Sequence, residues 1–379
     1  MGSIPGIHQN VIVLDFKSLY PSIIRTFHVD PLALAVAAHE ENPIEGYDGG
    51  KFSREEFILP ELISTLWSAR DKAKASKNTA LSQAIKIIMN SFYGILGTVG
   101  CRFLDSRLVS SITKRGHEIL IQSKNFIEDA GYQVIYGDTD SVFVLLGSVP
   151  DDQVNVIGEG LTTQLNAWWT NRLREKYDIS SFLELEFETH FSKFLMPTVR
   201  GSDAGSKKRY AGLVVDNSNP KKSHLLFKGL ESVRSDWSPL AREFQKELYR
   251  RVFFGEPYED YIKLTVQQLT DGKYESELVL RKRLRRKLKD YIKNVPPHAQ
   301  AARKAEDIRR QLELPSLYQS GGWIEYIMTI NGAEPRQYRE SAIDFEFYIE
   351  RQLAPIADAI LAFKSSSMDK ILNNQIGLF

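Results

Sequence analysis

The 379 residues include a single cysteine, Cys101, so no disulfide can close within the chain, and one thiol in a chain of this size suits a reducing compartment. No apolar run approaches the roughly 20 residues needed to cross a bilayer, and no secretory signal pattern is visible at the N-terminus. A cytoplasmic protein without a membrane partner is the expectation. Internal repeats and low-complexity tracts are lacking too, and so is a dominant charge: 49 Lys and Arg face 48 Asp and Glu, for a net charge of +1. Global charge therefore points to no polyanionic partner. With 42% hydrophobic residues the chain reads as a globule with room for two or three domains.

What is present begins with Tyr136-Gly137-Asp138-Thr139-Asp140-Ser141, set between Val134-Ile135 and Val142-Phe143-Val144. This reads as two short strands joined by a tight turn with two carboxylates at its tip. Side chains two apart in an extended segment point the same way, although a turn relaxes that rule. At 4 Å two such charges repel by about 4 kcal/mol at an effective dielectric near 20, so a cation is a natural third partner; a solvated turn is the plainer reading. A second acid sits in a matching setting. Val11-Ile12-Val13-Leu14 is the continuous apolar run of a strand buried on both faces, and it ends at Asp15. The chain then turns through Phe16 to Ser22 into a helix at Ile23-Ile24, with Ser18 and Ser22 as N-cap candidates. An acid at a strand end beside a helix start places a metal ligand next to unpaired backbone N–H groups.

Positive charge comes from two helices. Residues 60–77 carry Arg70 and Lys74 four apart, and residues 81–97 carry Lys86, Asn90, Tyr93 and Gly94 on one face. The polar link Ser76-Lys77-Asn78-Thr79 predicts an antiparallel pair. Such cations can be a solvated face, but here they interrupt an otherwise apolar segment. A further helix is expected over residues 107–129. Leu183-Glu184-Leu185-Glu186-Phe187-Glu188 alternates as a half-buried strand, with three glutamates on its wetter face, one of which could approach a metal.

These strings match a family. DFKSLYPSII (residues 15–24), KIIMNSFYG (86–94), YGDTDSVFV (136–144) and KKRYAGL (207–213) resemble motifs A, B and C and the KKRY motif of family B DNA polymerases, in order and at matching spacing. The likeness extends through Lys228-Gly229-Leu230-Glu231 and Asn294-Val295-Pro296-Pro297-His298 to the C-terminus, and is nearest to bacterial members. It implies an α+β right-hand polymerase core: an antiparallel-sheet palm, a two-helix fingers insertion and a largely helical thumb. Residues 1–58 and 101–235 would form the palm, 59–100 the fingers, 236–374 the thumb and 375–379 a terminal tail.

The resemblance also implies roles. Two Mg²⁺ ions would be bridged by Asp15 and Asp140, with the Phe16 carbonyl as a further ligand and Asp138 in a secondary, partly water-mediated place. Ser18 and Leu19 would offer backbone amides to a dNTP triphosphate, and Arg70, Lys74, Lys86 and Asn90 would close on it from a mobile helix pair. Tyr20, otherwise a core aromatic, would be the steric gate against a ribose 2′-hydroxyl. Tyr93 and Gly94 would lie beneath the nascent base pair. Primer-template DNA would meet Lys207, Lys208, Arg209 and Tyr210, and also the run from Arg281 to Lys289, which holds seven cations in nine residues, Arg281, Arg283, Arg285 and Arg286 among them. A basic run alone is as well read as a solvated face or a localisation signal; as phosphate ligands these residues would make affinity fall with salt.

The tail Gln375-Ile376-Gly377-Leu378-Phe379 resembles the pentapeptide with which bacterial polymerases dock on a sliding clamp, and its alternative is packing on its own domain. No exonuclease segment with paired acids precedes Asp15, so an excised fragment or a stand-alone core that does not proofread is expected, associated with the nucleoid. Two rivals stand beside it: a polymerase subunit that needs a separate exonuclease and N-terminal chain, and a non-catalytic clamp-tethered DNA-binding subunit.

Overall fold

The computed structural model describes residues 2–199, 202, 204–215 and 223–373. The tail residues Gln375, Ile376, Leu378 and Phe379 lie outside the described residues, as do Lys221 and Lys222. In chain order the elements are β1 (Gly6–Phe16), α1 (Leu19–Phe27), α2 (Pro31–Val36), β2 (Ile44–Glu45), β3 (Lys51–Phe52), α3 (Leu59–Ala75), α4 (Thr79–Leu96), α5 (Ser106–Asp129), β4 (Gln133–Asp138), β5 (Ser141–Leu145), α6 (Asp151–Tyr177) and β6 (Leu185–Met196). They continue with β7 (Tyr210–Val214), β8 (His224–Lys228), α7 (Pro239–Phe254), α8 (Glu259–Thr270), β9 (Leu280–Leu284), α9 (Pro297–Gln311), β10 (Gly322–Thr329), β11 (Gly332–Pro335), α10 (Phe345–Tyr348), α11 (Ala354–Leu361) and α12 (Met368–Asn373). Contacts divide the chain into two units, residues 1–4 with 8–192 and residues 5–7 with 193–379. The division falls inside β6, whereas the sequence reading set its boundaries after residues 58, 100, 235 and 374. No described helix is long and apolar enough to cross a membrane.

In the first unit the strands run in the order β4-β5-β1-β6, with β1 and β4 both antiparallel to β5. Val11 to Leu14 are at most 4% exposed, as a run without polar alternation requires of a strand covered on both sides. Ile12, Leu14 and Phe16 share a core with α1, α5 and α6. Helix α1 ends at His28 in the left-handed region, its amide bonding to the Ile24 carbonyl. Asp30 then accepts from the amides of Ala33 and Leu59, both at 2.8 Å, tying the starts of α2 and α3 to one carboxylate. The α3–α4 pair forms where the spacing predicts it, with Asn78 capping α4 through the Leu81 amide. It is a thin element. Along α4 only Ile85, Met89 and Leu96 are buried, while Ile87, Ile88 and Ile95 are about half exposed or more.

The second unit holds the β7–β8 hairpin and a core built from α7, α9 and α11, including Phe244, Leu248, Ala302 and Ile356. Ser238 caps α7 and donates to Gln352 at 2.5 Å, so the helix start is held by a π-helical turn at residues 349–353. Among its helices this segment also carries a three-stranded antiparallel sheet, β11-β10-β9, which a helical reading of the charged stretch does not anticipate. The basic run opens as strand β9. Lys and Arg favour helices, but Leu280 and Leu284 are buried and the ladder pairs Lys282 with Ile324, itself fully buried. Tertiary pairing overrides local propensity here.

Candidate active site

The antiparallel register of β1 and β5 pairs Asp15 with Ser141, and the Phe16 amide donates to the Asp140 carbonyl at 2.8 Å. Two acids 125 positions apart in sequence thereby meet at one end of the sheet. Asp138 pairs with Ser141, leaving Thr139 and Asp140 as a two-residue turn with Thr139 at φ 46°. The Asp140 amide folds back to the Asp138 carbonyl at 2.5 Å. Burial, then the charges of Asp140 and Glu188, push the Asp15 carboxyl up to about 7, while Lys86 works against the rise. Asp140 is raised by burial as well, then by Asp138 and Glu188, and is held down by its own backbone hydrogen bond and by Lys86. Carboxylates that resist ionising together make a site prepared for a cation. Asp138 is half-buried and accepts from the Thr139 hydroxyl at 3.2 Å.

Strand β6 and the residue before it bring three glutamates alongside, and they separate. Lys17 bridges Glu184 and Glu186 at 2.5 and 2.6 Å, while its amide bonds to the Glu184 carbonyl at 2.9 Å. Glu188, exposed, is the one whose charge bears on both aspartates. Between Lys17 and α1, Ser18 stands at φ 45°, ψ 62°, in the N-cap position but without a side-chain cap bond. Its hydroxyl is buried and lacks a hydrogen-bond partner. The other cap candidate, Ser22, lies inside the helix and donates to the Lys17 carbonyl at 3.0 Å. Capping of α1 by either serine is thus not what is found: the left-handed turn points the Ser18 side chain away from the helix amides. The Leu19 side chain is buried in the core, so only its backbone can serve a ligand.

Tyr20 stacks on Tyr93 of α4 with ring centroids 4.7 Å apart at 54°. Its hydroxyl is pushed up by burial, then by Tyr93 and Asp140, which sets the ring beside the acids. The close seat depends on Gly116 of α5, where an added Cβ would come within 3.3 Å of the Tyr20 ring. Lys86 and Asn90 are exposed one turn apart on α4. At Gly94 an added Cβ would meet nothing within 4 Å. Arg70 has a buried Nε without a partner, Lys74 is exposed, and no ion pair joins either to the acids among the described residues. The electrostatic link between the helix pair and the carboxylates runs through Lys86.

No group of three or more His, Cys, Asp or Glu arranged to hold a metal ion occurs among the described residues. The residues nevertheless fit Mg²⁺, which takes hard oxygen donors, keeps several waters and needs only one or two carboxylates. Asp15 and Asp140 are such a pair, both raised first by burial, with the charge of Asp140 adding to the rise of Asp15.

The remaining predicted residues fall in the second unit. Lys207 and Lys208 are exposed, Lys208 at φ 60°. Tyr210 is half-buried, its ring 5.3 Å from that of Phe194. Arg209 forms an ion pair with buried Glu231. Arg281, Arg283, Arg285 and Arg286 are exposed and line a groove of about 700 Å³ with Tyr291 and Trp323. Arg281 lies over the Trp323 ring at 4.7 Å, and Arg286 over Tyr291 at 4.9 Å. Sequence reasoning missed Lys17 and Gly116. A glycine inside the helical run 107–129 was the available signal for one; nothing local marks the other.

Comparison with known proteins agrees with these motifs. Residues 3–373 match the family model DNA polymerase family B. The chain is 51% identical over 383 residues to DNA polymerase II of Escherichia coli (strain K12), covering 100% of this chain and 48% of that protein. It is 28% identical over 400 residues to a DNA polymerase of Thermococcus gorgonarius, covering 98% of this chain and 48% of that one. The solved structure of the family B DNA polymerase from the hyperthermophilic archaeon Pyrobaculum calidifontis aligns with a TM-score of 0.61 over 95% of this chain and 46% of that chain, at 24% identity, which shows a common fold. The chain spans about half the length of these relatives. With the family model spanning residues 3–373, a range that includes Asp15 and Asp140, the chain belongs to DNA polymerase family B.

Proposed function

We propose that this chain is the core of a template-directed DNA polymerase, adding deoxynucleotides to a primer 3′-end by two-metal nucleotidyl transfer. The observation that carries the reading is the β1–β5 register, which sets Asp15 and Asp140 together with Lys86 in electrostatic reach of both. Two Mg²⁺ ions held by Asp15 and Asp140, with the Phe16 carbonyl and Asp138 in support, would lower the pKa of the primer hydroxyl and neutralise the leaving pyrophosphate. The protein's own work is positioning. The amides of Ser18 and Leu19 receive the triphosphate at the start of α1, and Lys86, Arg70, Lys74 and Asn90 approach it from the α3–α4 pair. The few buried side chains along α4 suit a pair that moves to exclude water. Tyr20, seated by Gly116 and Tyr93, leaves no room for a 2′-hydroxyl, and the open face at Gly94 accepts the nascent base pair.

In the second unit Lys207, Lys208 and Tyr210 meet the primer-template, and the groove of Arg281, Arg283, Arg285 and Arg286 neutralises phosphates. The tail Gln375 to Phe379 serves as a tether to a sliding clamp. Primer extension by the purified chain with and without Mg²⁺, beside Asp140→Ala, tests the central claim. Mg²⁺-dependent extension that Asp140→Ala abolishes is expected. Extension that survives Asp140→Ala would refute the assignment of the site.

A further inference from the structure

The sequence reading counts Arg209 with Lys207, Lys208 and Tyr210 as a DNA contact, but the structure gives it a different partner. Its guanidinium pairs through Nη2 with Oε1 of Glu231, a residue 6% exposed, and its Nε is buried without a hydrogen-bond partner. Glu231 is held in turn. Its other oxygen accepts from Nε2 of Gln245 at 2.9 Å, and Oε1 of Gln245 accepts from the Ser232 amide at 2.6 Å, with Gln245 fully buried on α7. On the other side of Arg209, the Ser206 hydroxyl donates to its carbonyl at 2.9 Å. The backbone adds a second catch. Lys208 stands in the left-handed region, and its carbonyl lies 2.2 Å from where a Cβ on Gly229 would be, Gly229 itself having φ 61°. Residues 206–210 and 228–231 are thus keyed together by one buried carboxylate and one glycine.

We infer that Arg209 and Glu231 form a lock that positions the flanking Lys207, Lys208 and Tyr210, so that Arg209 is a positioning residue and not itself a phosphate ligand. This rests on the reading of the chain as a DNA-binding polymerase core. A buried carboxylate satisfied by Arg209 and Gln245 cannot lose the arginine without being left partly unpaired. Paired with a buried carboxylate, the guanidinium brings little net charge to a phosphate.

Affinity for a primer-template duplex, read by fluorescence anisotropy across a salt series, separates the two roles. If Arg209 touches phosphate, removing it lowers the slope of log K against log salt by about 0.9; if it only holds the segment, the released Lys207 and Lys208 still neutralise their phosphates at a cost in ordering entropy, so affinity drops while the slope stays. Glu231→Gln sharpens the contrast, because deleting a negative charge near DNA strengthens binding unless that charge holds something in place. The lock predicts that Arg209→Met and Glu231→Gln each weaken binding about thirtyfold or more, the scale of one lost hydrogen-bonded charge pair. It also predicts that the double variant is no weaker than either single one, and that Lys208→Met alone lowers the slope. A slope lowered by Arg209→Met, or additive losses in the double variant, overturns the lock. If neither Lys208→Met nor any other variant alters the salt slope, it is the DNA-binding reading that has failed. Should Glu231→Gln not fold, the exchanged pair Arg209→Glu with Glu231→Arg decides. A lock restores affinity to within about threefold of wild type, whereas a phosphate contact turned into a repelling glutamate leaves it weaker than Arg209→Met.

Discussion

The two units each gather charges of one sign, and they hold them in opposite ways. Around β1, β5 and β6 the acids are few and fixed by backbone register, and burial, then the neighbouring charges, raises Asp15 to about 7. Along β9 and the residues after it the cations are many and exposed, with the Arg281 and Arg286 guanidiniums over the Trp323 and Tyr291 rings. Water screens the second set more than the first. The acid site is therefore a device in which one atom out of place matters, and the basic groove is one in which contributions add and each is replaceable. That division suits the proposed polymerase core, which would do chemistry at one point and hold a polymer along a length.

The largest effects test this division directly. Asp15→Asn keeps the shape, exchanges one acceptor oxygen for an NH2 donor and removes one charge from the pair, and should lower the rate of nucleotide addition by at least about 10³-fold, on the scale of lost transition-state charge stabilisation, with DNA affinity little changed. Arg283→Met should do the reverse. Its expected result is a loss of affinity of a few fold, a salt slope lowered by about 0.9, and a saturated rate close to wild type. Pre-steady-state extension gives the rate and anisotropy the affinity. If Arg283→Met cut the saturated rate as deeply as Asp15→Asn, the groove would belong to the chemistry and the comparison would collapse.

How much of this was legible in the sequence follows the same line. Asp15 and Asp140 could be read because each closes an apolar run whose burial pattern is local, and the antiparallel pairing then does the rest. The α3–α4 pair was legible from periodicity and from the polar link at residues 76–79. The choice among Glu184, Glu186 and Glu188 was not, because alternation puts all three on one face and only the reach of Lys17 pairs two of them, leaving Glu188 as the one whose charge bears on both aspartates. Nor was the strand character of residues 280–284 visible, since its cause is a partner strand some 40 residues later in the chain. Arg209 and Glu231 are 22 positions apart, and nothing in either segment alone names the other. What local pattern reveals is the acids' place; what it hides is every side-chain pair made by the fold.

A smaller effect should appear in stability. The folded-state pKa of Asp15 is raised from 3.8 to about 7, so the native protein keeps a proton that the unfolded chain has already lost. This group's contribution is therefore fully present below about pH 4 and falls as pH rises to about 7. At pH 8 without metal, Asp15→Asn should be the more stable protein by about 1 kcal/mol, a figure discounted for partial exposure, or roughly 2–4 °C in the midpoint of the first unit. Mg²⁺ should erase or reverse the difference, because it stabilises the wild-type carboxylate pair. Arg283→Met should show neither effect. Calorimetry at pH 5 and pH 8, with EDTA or Mg²⁺, makes the comparison, and equal midpoints at every condition would count against a strained acid pair.

The smallest effects lie in two histidines, one in each unit. His190 is 3% exposed, and its Nε2 lies 3.0 Å from Oδ1 of Asn10, whose own amide donates to the carbonyls of Gly147 and Val149. Nε2 is therefore the donor and Nδ1 the bare nitrogen, and burial holds the ring below its ordinary pKa, with Asp151 opposing. His298 lines the basic groove, lowered by burial and then by Lys282. Both are depressed bases, so the unfolded chain binds the proton first and stability is lost as pH falls below about 6.5. His190→Gln and His298→Gln should each flatten that loss by up to about 1 kcal/mol, with the larger share at His190. Salt tells them apart. The part of the His298 shift that comes from Lys282 is exposed to screening and should shrink as ionic strength rises from about 0.05 to 0.5 M, while the burial of His190 is indifferent to ions. Acid melting curves of the two variants at both ionic strengths decide it: a His190 contribution that faded with salt would mean that the first unit's interior is as open to solvent as the groove, and the contrast drawn between the acids and the cations would lose its physical basis.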